Sequence, residues 1–284
     1  MSEYTELPRE KWQPRADFAG LDPLPLPELG NSFVADGWSH PKDLSAFRAT
    51  LPKRLRVTLA TPCDDGHRLC FWDSLVKTLE RGDMGCDLRV WTPPGDSLVT
   101  RGRDNITHDF YFNSSDDYLG FIDSDIDFRP EDVVQGVERR LPIVAGHYAI
   151  KQQDLRWCLN SIDGEKPDGV TGLYRVATAG TGWLFFHRSV VARMIAAERR
   201  WKHWRMRYID DARMDVRYHL FADEVIDDPV EFTHSPRRMS EDWSFCYFAR
   251  KLGYDIWADD GIIVMHEGSI KYPLQAHRES HPKK

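Results

Sequence analysis

Three polar residues follow an apolar stretch in FIDSDIDF (121–128), and their types suit a cation or phosphate site. Asp123, Ser124 and Asp125 come at the end of YLGFID (118–123), which has the pattern of a buried strand. In open α/β sheets, ligands bind at the carboxyl ends of the strands. Two carboxylates one residue apart can hold a hard divalent cation, with water or phosphate oxygens completing the shell. Such a cation would neutralise a diphosphate leaving group.

Two other interpretations apply to these aspartates. Carboxylates in loops are commonly just solvated, and D-x-D is a short motif that arises by chance. The spacing of Asp123, Asp125 and Asp127 also resembles the first three positions of an EF-hand calcium loop. The calcium loop is excluded, because its sixth position is Phe128 rather than Gly and its twelfth is Val134 rather than Glu.

A second acidic pair, Glu241-Asp242, opens a predicted helix after Ser240. Acids at a helix N-terminus are stabilised in their charged form by the helix dipole and the free N–H groups. That effect alone explains the pair. A carboxylate at this position could equally remove a proton from a hydroxyl group that reacts at the site.

A predicted helix at 188–207, RSVVARMIAAERRWKHWRMR, reverses the local sign of the charge. It carries seven basic side chains against the single acid Glu198, with Trp201 and Trp204 between them. An anionic acceptor such as nucleic acid, a lipid phosphate or an acidic glycan would suit this composition. The alternative is a surface helix with one apolar face and a solvated basic face.

The elements that must position these groups alternate between strands and helices, which predicts an α/β fold with a mixed, mostly parallel sheet flanked by helices. Strands are predicted at 55–61, 87–92, 118–123 and 141–149. Helices are predicted at 97–112, from Pro130, and after the first strand, where Trp72, Leu75, Val76 and Leu79 would form the buried face. Further on, RVATAG and GWLFFHR are expected to pair around Gly180–Gly182. Residues 208–239 are expected to be irregular, before a helix from Ser240 and two final strands.

Composition limits the class of protein. The 284 residues carry 38 basic and 45 acidic side chains, a net charge of −7, which excludes a generally basic coat for nucleic acid. No apolar run reaches the roughly 18 residues of a membrane-spanning helix, and the first residues lack the apolar core of a signal peptide. The five scattered cysteines form no CxxC pair, so we expect reduced cysteines in a cytoplasmic protein.

Residues 1–53 form a proline-rich N-terminal arm in this interpretation, and they hold seven of the 17 prolines. The segment LDPLPLPELG is typical of an extended, polyproline-like chain. Its leucines predict that it lies on the domain surface or on a neighbouring subunit, which would allow a homo-oligomer. A mobile tail is the alternative.

Several segments, taken together and in order, resemble nucleotide-sugar-dependent glycosyltransferases of the GT-A fold, and most closely glycosyltransferase-like proteins of bacteria and their phages. The segments are LRVTLATPCDDG, SLVTRGRDNIT, YLGFIDSDIDFRPEDVV, IVAGHYAIK, AGTGWLFFHRSVVARM, MSEDWSFCYFARKLGYDIWAD and IVMHEG. The resemblance implies one GT-A-like, Rossmann-related domain over residues 54–284. Its nucleotide-binding half would be 54–150 and its acceptor-binding half 151–284.

The resemblance implies a metal-dependent transfer of a sugar from a UDP- or GDP-hexose to a hydroxyl acceptor in the cytoplasm of a bacterium or a phage-infected host. Asp242 would be the catalytic base if the reaction inverts the anomeric centre, with Glu241 oriented to the acceptor. Asp123, Asp125 and His266 would hold Mn²⁺ or Mg²⁺, and manganese is favoured because it tolerates imidazole better. Without the resemblance, His266 is an ordinary strand-end histidine.

The remaining implied contacts divide between donor and acceptor. The residues expected to bind the nucleotide sugar are Thr61, Pro62, Asp65, Arg101, Arg103, Asp123, Ser124, Gly182 and Trp183. The residues expected to bind the acceptor are Lys151, Arg199, Arg200 and Trp201. A modified DNA base is one candidate acceptor, and it would have to be flipped out or single-stranded to react. A glycan is another.

Two other functions remain as alternatives. A sugar nucleotidyltransferase would need a glycine-rich phosphate loop after the first strand, and TPCDDGHR lacks those glycines. A non-catalytic module that binds nucleotide sugars or glycans would need nucleotide binding without turnover, and the presence of both acidic pairs and the histidine argues against it.

Overall fold

The computed structural model describes residues 42–62, 68–93, 97–151, 156–200, 207–210, 215–226 and 236–268, and leaves the side chains of 198–200, 207–210 and 215–216 undescribed. Within these residues the helices are α1 (Leu44–Thr50), α2 (Leu69–Glu80), α3 (Val99–Asn113), α4 (Pro130–Glu138), α5 (Arg188–Arg200) and α6 (Glu241–Lys251). None of the helices in the described residues is long and apolar enough to cross a membrane.

The strands that form the main sheet are β1 (Leu55–Ala60), β2 (Cys86–Trp91), β3 (Tyr118–Ile122), β5 (Ile143–His147), β6 (Leu159–Ser161), β7 (Leu173–Ala179), β8 (Trp183–His187) and β13 (Ile256–Ile263). The strands of the smaller pairs are β4 (Ile126–Asp127), β9 (Arg207–Asp210), β10 (Asp215–Tyr218), β11 (Glu224–Ile226), β12 (Arg237–Met239) and β14 (Met265–His266).

The main sheet confirms the predicted fold class: an α/β protein with a mixed central sheet of eight strands flanked by helices. The strand order is β2-β1-β3-β8-β5-β13-β7-β6. Parallel pairing joins β1 to β2 and β3, and β5 to β13. Strand β8 is antiparallel to both of its neighbours, β3 and β5. Strand β7 is likewise antiparallel to β13 and β6. Six strands therefore run in one direction and two in the other.

Both faces of the sheet are covered, because alternate residues of its buried strands enter two separate hydrophobic clusters. Leu184 and Phe186 of β8 pack in the cluster that includes Met194 of α5 and Phe245 of α6. Trp183 and Phe185 of the same strand pack in the cluster that includes residues of α2 and α4. This arrangement leaves the carboxyl ends of β1, β3 and β5 as the edge where polar groups can collect.

The predicted pairing of RVATAG with GWLFFHR is wrong. Strands β7 and β8 are consecutive in the chain, but β5 and β13 lie between them in the sheet. The Gly180–Gly182 connection therefore joins two separated strands instead of closing a hairpin. The glycines predicted a turn between the two strands. Each strand, however, forms its hydrogen bonds with strands from distant parts of the chain.

The buried face of α2 also differs from the prediction. Trp72, Val76 and Leu79 are 43%, 47% and 57% exposed. The residues that α2 buries are Phe71, Ser74, Leu75 and Thr78. Both sets have helical spacing, and a polar contact decides between them: Ser74 Oγ donates to Asp127 at 2.8 Å and accepts from the backbone N–H of Phe128 at 3.0 Å.

The second half of the chain contains more strand than expected. Residues predicted to be irregular at 208–239 include strands β9, β10, β11 and β12. Helix α5 is described to Arg200, whereas the sequence predicted a helix to about residue 207, where β9 begins. The arm predicted at 1–53 is described only from residue 42, where α1 packs Phe47 into the core.

Candidate functional site

The acidic turn after β3 is held in place by backbone hydrogen bonds. All five residues of β3 are buried, so the chain reaches solvent only at its end. There the N–H of Ile126 donates to Asp123 O at 3.1 Å, which closes a tight turn, and the N–H of Asp123 donates to Gly182 O at 3.1 Å. Ser124 O accepts from the N–H of Arg68 at 3.0 Å, at the start of α2. Strand β3 therefore delivers Asp123 and Asp125 to a fixed position beside the glycine turn.

Arg103 joins the two acidic pairs that the sequence singled out. Its side chain is 4% exposed, and Nη2 donates to Asp123 Oδ1 at 2.9 Å. Nε of the same guanidinium lies 3.7 Å from Glu241 Oε1. Neither Nε nor Nη1 has a hydrogen-bond acceptor within the part of the chain that the structure describes. Arg103 was predicted to bind the donor directly, but its burial makes it foremost a link between β3 and α6.

Asp242 lies at the first turn of α6, where its surroundings disfavour the charged carboxylate. Burial raises the pKa of Asp242, and the neighbouring Glu241 carboxylate raises it further. A hydrogen bond from Ser240 Oγ and another from the N–H of Trp243 oppose this effect only in part, so the pKa is raised to about 6. A carboxyl group with this pKa is suited to accept and release a proton near neutral pH.

The pKa of Asp125 is shifted in the opposite direction. Burial acts to raise its pKa, but hydrogen bonds with His266 and Lys151 outweigh burial and lower the pKa to about 2. The short strand β14 pairs with β4, which puts His266 opposite Ile126 and brings its Nε2 to 3.3 Å from Asp125 Oδ1. The ammonium of Lys151 contacts the other carboxylate oxygen, Oδ2. Lys151 was predicted to contact the acceptor, and the structure pairs it with the acid predicted to bind metal.

The donor set at Asp125 fits a divalent cation with two protein ligands. The Nδ1 atom of His266 lies 2.9 Å from Ala149 O. Because a carbonyl oxygen only accepts, Nδ1 carries the hydrogen, and Nε2 is the nitrogen that faces the carboxylate. A histidine whose second nitrogen is fixed in this way is typical of metal ligands. Within the described residues, no three His, Cys, Asp or Glu side chains converge as a metal site. The predicted third ligand, Asp123, is paired with Arg103 instead.

The glycine turn contains one group that the sequence analysis missed. The hydroxyl of Tyr148 accepts from the N–H of Gly182 at 2.9 Å. A Cβ atom on Gly180 would lie 2.0 Å from that oxygen, so the residue must be glycine for Tyr148 to fit. The ring of Tyr148 also contacts the ring of His266 edge-on, with centroids 5.5 Å apart. Tyr148 thus connects the turn beside Asp123 to the histidine beside Asp125. In the sequence, the two glycines of this turn are the feature that indicates a bulky neighbour.

Trp183 does not offer its face to a sugar, which corrects its predicted role. It is fully buried, and Cβ atoms on Gly136 and Gly146 would lie 2.3 and 3.1 Å from its ring. The ring therefore fills the space that two glycines leave open. Only its neighbour Gly182 contributes to the site, through its backbone.

Two of the other predicted donor residues lie near the acidic turn. Thr61 and Pro62 follow β1, whose last residue, Ala60, is paired with Phe121 of β3, so they come to the same edge of the sheet. Thr61 is buried and donates its N–H to Trp91 O at 3.3 Å. Arg101 is an exposed residue of α3, about 200° around the helix from Arg103, and the two do not share a face. Asp65 lies outside the described residues.

The predicted acceptor surface is described only in part. Arg199 and Arg200 end α5 and their side chains are not described, and Trp201 lies outside the described residues. Two other basic residues of this helix point inward. Arg193 is buried with its guanidinium over the Tyr254 ring at 5.4 Å, and Arg188 donates to the carbonyl oxygen of Asp116 at 3.0 Å. Both therefore belong to the scaffold, and the basic face is smaller than the sequence predicted.

Comparison with known proteins finds no matching family model and no matching curated protein. Among solved structures, the chain is similar to protein A197 of STIV, with 18% identity over 75% of this chain and 86% of that one, at a TM-score of 0.46. It is similar to residues 1–349 of TarS from S. aureus, with 10% identity over 50% of this chain and 49% of that one, at a TM-score of 0.33.

A third similar structure is a glycosyltransferase involved in the glycosylation of the major capsid of PBCV-1. The identity is 11% over 52% of this chain and 69% of that one, at a TM-score of 0.30.

Proposed function

We propose that this chain is a glycosyltransferase that moves a hexose from a nucleoside diphosphate sugar to a hydroxyl acceptor, with Asp242 as the general base. The proposal starts from four carboxylates, Asp123, Asp125, Glu241 and Asp242, which we call the carboxylate site. Two of them end a buried strand at the ligand-binding edge of the sheet, and two begin a helix that faces them across Arg103.

The observation that carries the proposal is the contrast in proton affinity between two carboxyl groups of this site. Asp125 has a pKa of about 2 and is ionised at neutral pH, whereas Asp242 has a pKa of about 6 and exchanges a proton there. Carboxyl groups whose surroundings push their pKa values apart are typical of acid–base chemistry. Transfer with inversion can use both groups: a charged carboxylate to hold a cation and a second carboxylate to accept the proton of the acceptor hydroxyl.

In the proposed reaction, Asp242 takes the proton of the acceptor hydroxyl as the acceptor oxygen attacks the anomeric carbon. A carbon–oxygen bond forms to the acceptor, and the bond between the anomeric carbon and the diphosphate breaks. The nucleoside diphosphate leaves with the bonding electron pair. Arg103 holds Asp123 and Glu241 in fixed positions on either side of the reacting centre. Attack from the side opposite the diphosphate inverts the configuration of the anomeric carbon.

Asp125 and His266 are the residues that would hold a divalent cation, which we take to be Mn²⁺ or Mg²⁺. When bound, the cation supplies positive charge that stabilises the diphosphate as a leaving group. His266 orients for this role through Nδ1, which Ala149 O fixes. Without a cation, the contacts with His266 and Lys151 outweigh burial and keep Asp125 ionised.

The acceptor is proposed by class only: a hydroxyl on a glycan or on a modified DNA base. The basic C-terminal end of α5, with Arg199 and Arg200 next to Trp201 in the sequence, supports an anionic or aromatic acceptor. Replacing both arginines by Ala should weaken transfer to such an acceptor and leave donor hydrolysis unchanged.

A panel of UDP- and GDP-sugars with Mn²⁺ tests the donor assignment. Thermal unfolding is followed with each donor, and release of the nucleoside diphosphate is measured in parallel. A donor at about 100 times its Kd stabilises a protein by roughly 2.7 kcal/mol, which is about 5–10 °C for a domain of this size. We expect one donor class to give this shift in the wild type and in the exposed-site control Asp163→Asn, but not in Asp125→Asn.

The donor-site assignment is wrong if no nucleotide sugar stabilises the wild type, or if Asp125→Asn retains the full shift. A shift without release of nucleoside diphosphate to water or to any glycan or DNA acceptor would instead indicate a binding module.

A further inference from the structure

We propose that the ammonium of Lys151 and a divalent cation compete for the Asp125 carboxylate, so that Lys151 occupies the cation position until the metal displaces it. This inference rests on the proposed function, because it concerns the residues that would hold the metal there. It goes beyond that function by assigning Lys151 a role in controlling the affinity for metal.

Each carboxylate oxygen of Asp125 already has a partner in the structure. Lys151 Nζ contacts Oδ2, while His266 Nε2 lies 3.3 Å from Oδ1. Among the described residues, Asp125 is the hydrogen-bonding partner of the Lys151 ammonium. An ammonium is a compact point charge, and it satisfies the same oxygen atoms that a hard cation prefers. The two occupants therefore exclude each other at Oδ2.

Asp125 is fixed, so Lys151 is the group that moves. The backbone carbonyl of Asp125 accepts from the N–H of Glu267 at 2.8 Å, and the β4–β14 pairing holds both sides of this contact. The Asp125 side chain is 20% exposed, against 35% for Lys151. Lys151 reaches the site on a flexible four-carbon stem. It follows β5, which runs in the same direction as β3, so its Cα lies at the same edge of the sheet.

Displacement gives the ammonium a new partner. A nucleoside diphosphate bound at this site would offer the Lys151 ammonium its phosphate oxygens as new partners. The exchange couples the cation and the donor: the cation releases Lys151 from the carboxylate, and the diphosphate accepts it. Without a donor, the Asp125–Lys151 pair opposes the cation and keeps its affinity low.

The test measures Mn²⁺ binding to the full-length chain without any donor, by titration calorimetry and by the electron paramagnetic resonance signal of free Mn²⁺. Wild type is compared with Lys151→Met. Lys77→Met is the matched control, because Lys77 forms an ordinary surface pair with Asp73 one turn away on α2. We expect Lys151→Met to bind Mn²⁺ at least about fivefold more tightly, equal to about 1 kcal/mol, and Lys77→Met to match the wild type.

Unchanged or weaker binding by Lys151→Met overturns the competition. A gain in affinity that persists in the double variant Lys151→Met/Asp125→Asn also overturns it, because the added metal would then bind elsewhere. These outcomes are separate from the proposed function: transfer of sugar can occur without any competition at Asp125, and tighter Mn²⁺ binding can be measured in a chain that transfers no sugar.

Discussion

Two aspartates of this protein, the fully buried Asp259 and the partly buried Asp242, have different neighbours. The side chain of Asp259 on β13 is fully buried and accepts hydrogen bonds from Gln135 Nε2 at 2.9 Å, Arg139 Nε at 2.5 Å and the N–H of Gly261 at 3.0 Å. Asp242 on α6 accepts from Ser240 and Trp243 and has the like charge of Glu241 beside it.

The neighbours of a carboxylate decide whether it stabilises the fold or can exchange a proton. Buried charges persist when opposite charge and hydrogen bonds compensate the lost water. Asp259 has a guanidinium in direct contact, so its charge ties α4 to the sheet. At Asp242, the negative charge of Glu241 makes ionisation less favourable. The nearby Arg103 guanidinium donates its hydrogen bond to Asp123 rather than to Asp242. A carboxyl group in that position gains from taking up a proton.

The largest effect is expected from removing the proton acceptor at Asp242. Asp242→Asn keeps the size and the neighbours of the side chain but removes its ability to accept a proton. General base catalysis is worth roughly 10²–10⁴-fold, so kcat for sugar transfer should fall by this factor, or about 3–5 kcal/mol in barrier height. Steady-state release of nucleoside diphosphate with the preferred donor measures it. Donor stabilisation should persist, and a variant that transfers sugar at the wild-type rate would remove Asp242 as the base.

A smaller effect, on stability alone, is expected from removing the buried carboxylate of Asp259. Asp259→Ala leaves Gln135 and Arg139 without their shared acceptor, and disrupting such a buried pair costs about 3 kcal/mol. Urea unfolding should show this loss. The neighbouring exposed acid gives the matched control, and Asp260→Ala should cost less than about 1 kcal/mol. The pH dependence of transfer near 6 should stay as in the wild type, because the Asp242 environment is untouched. A loss below about 1 kcal/mol for Asp259→Ala would contradict the assignment.

The sequence alone could not distinguish these two acids. Glu241-Asp242 and Asp259-Asp260 are both adjacent acidic pairs, and the partner that neutralises Asp259 lies 120 residues earlier in the chain. What the sequence did predict are features set locally: the strand that ends at Asp123, the start of α4 at Pro130 and the start of α6 after Ser240. Each depends on neighbouring residues, through apolar runs, a proline at the first helical position and a polar residue before it.

What could not be predicted depends on contacts between distant segments. Trp183 was expected to bind the nucleotide sugar. In the structure its ring instead fills a space in the core next to Gly136 and Gly146, where any side chain would collide with it. Lys151 was assigned to the acceptor, although the rule that parallel strands share an edge could have placed it near Asp125. The opposite faces of α2 had equally good helical spacing, and only the contact of Ser74 with Asp127 chooses between them.

The smallest expected effect is the pH dependence that Asp242 gives to the stability of the fold. The pKa of Asp242 rises from its ordinary 3.8 to about 6 in the folded state. Between these values the folded chain binds more protons than the unfolded chain, so this group's contribution to stability falls as pH rises through the window. A shift of this size has an upper limit of about 3 kcal/mol, and water at the edge of the site reduces the expected value to about 1 kcal/mol.

Asp242→Asn cannot ionise, so it should be more stable than the wild type by about 1 kcal/mol above pH 7 and should lose this advantage as the pH falls towards 4. Urea unfolding of both chains at pH 4 to 8 measures the difference. A constant difference between Asp242→Asn and wild type would mean that Asp242 is compensated as fully as Asp259. The contrast in proton affinity that supports the proposed catalysis would then be lost, because a carboxylate that is stable without its proton is a weak base.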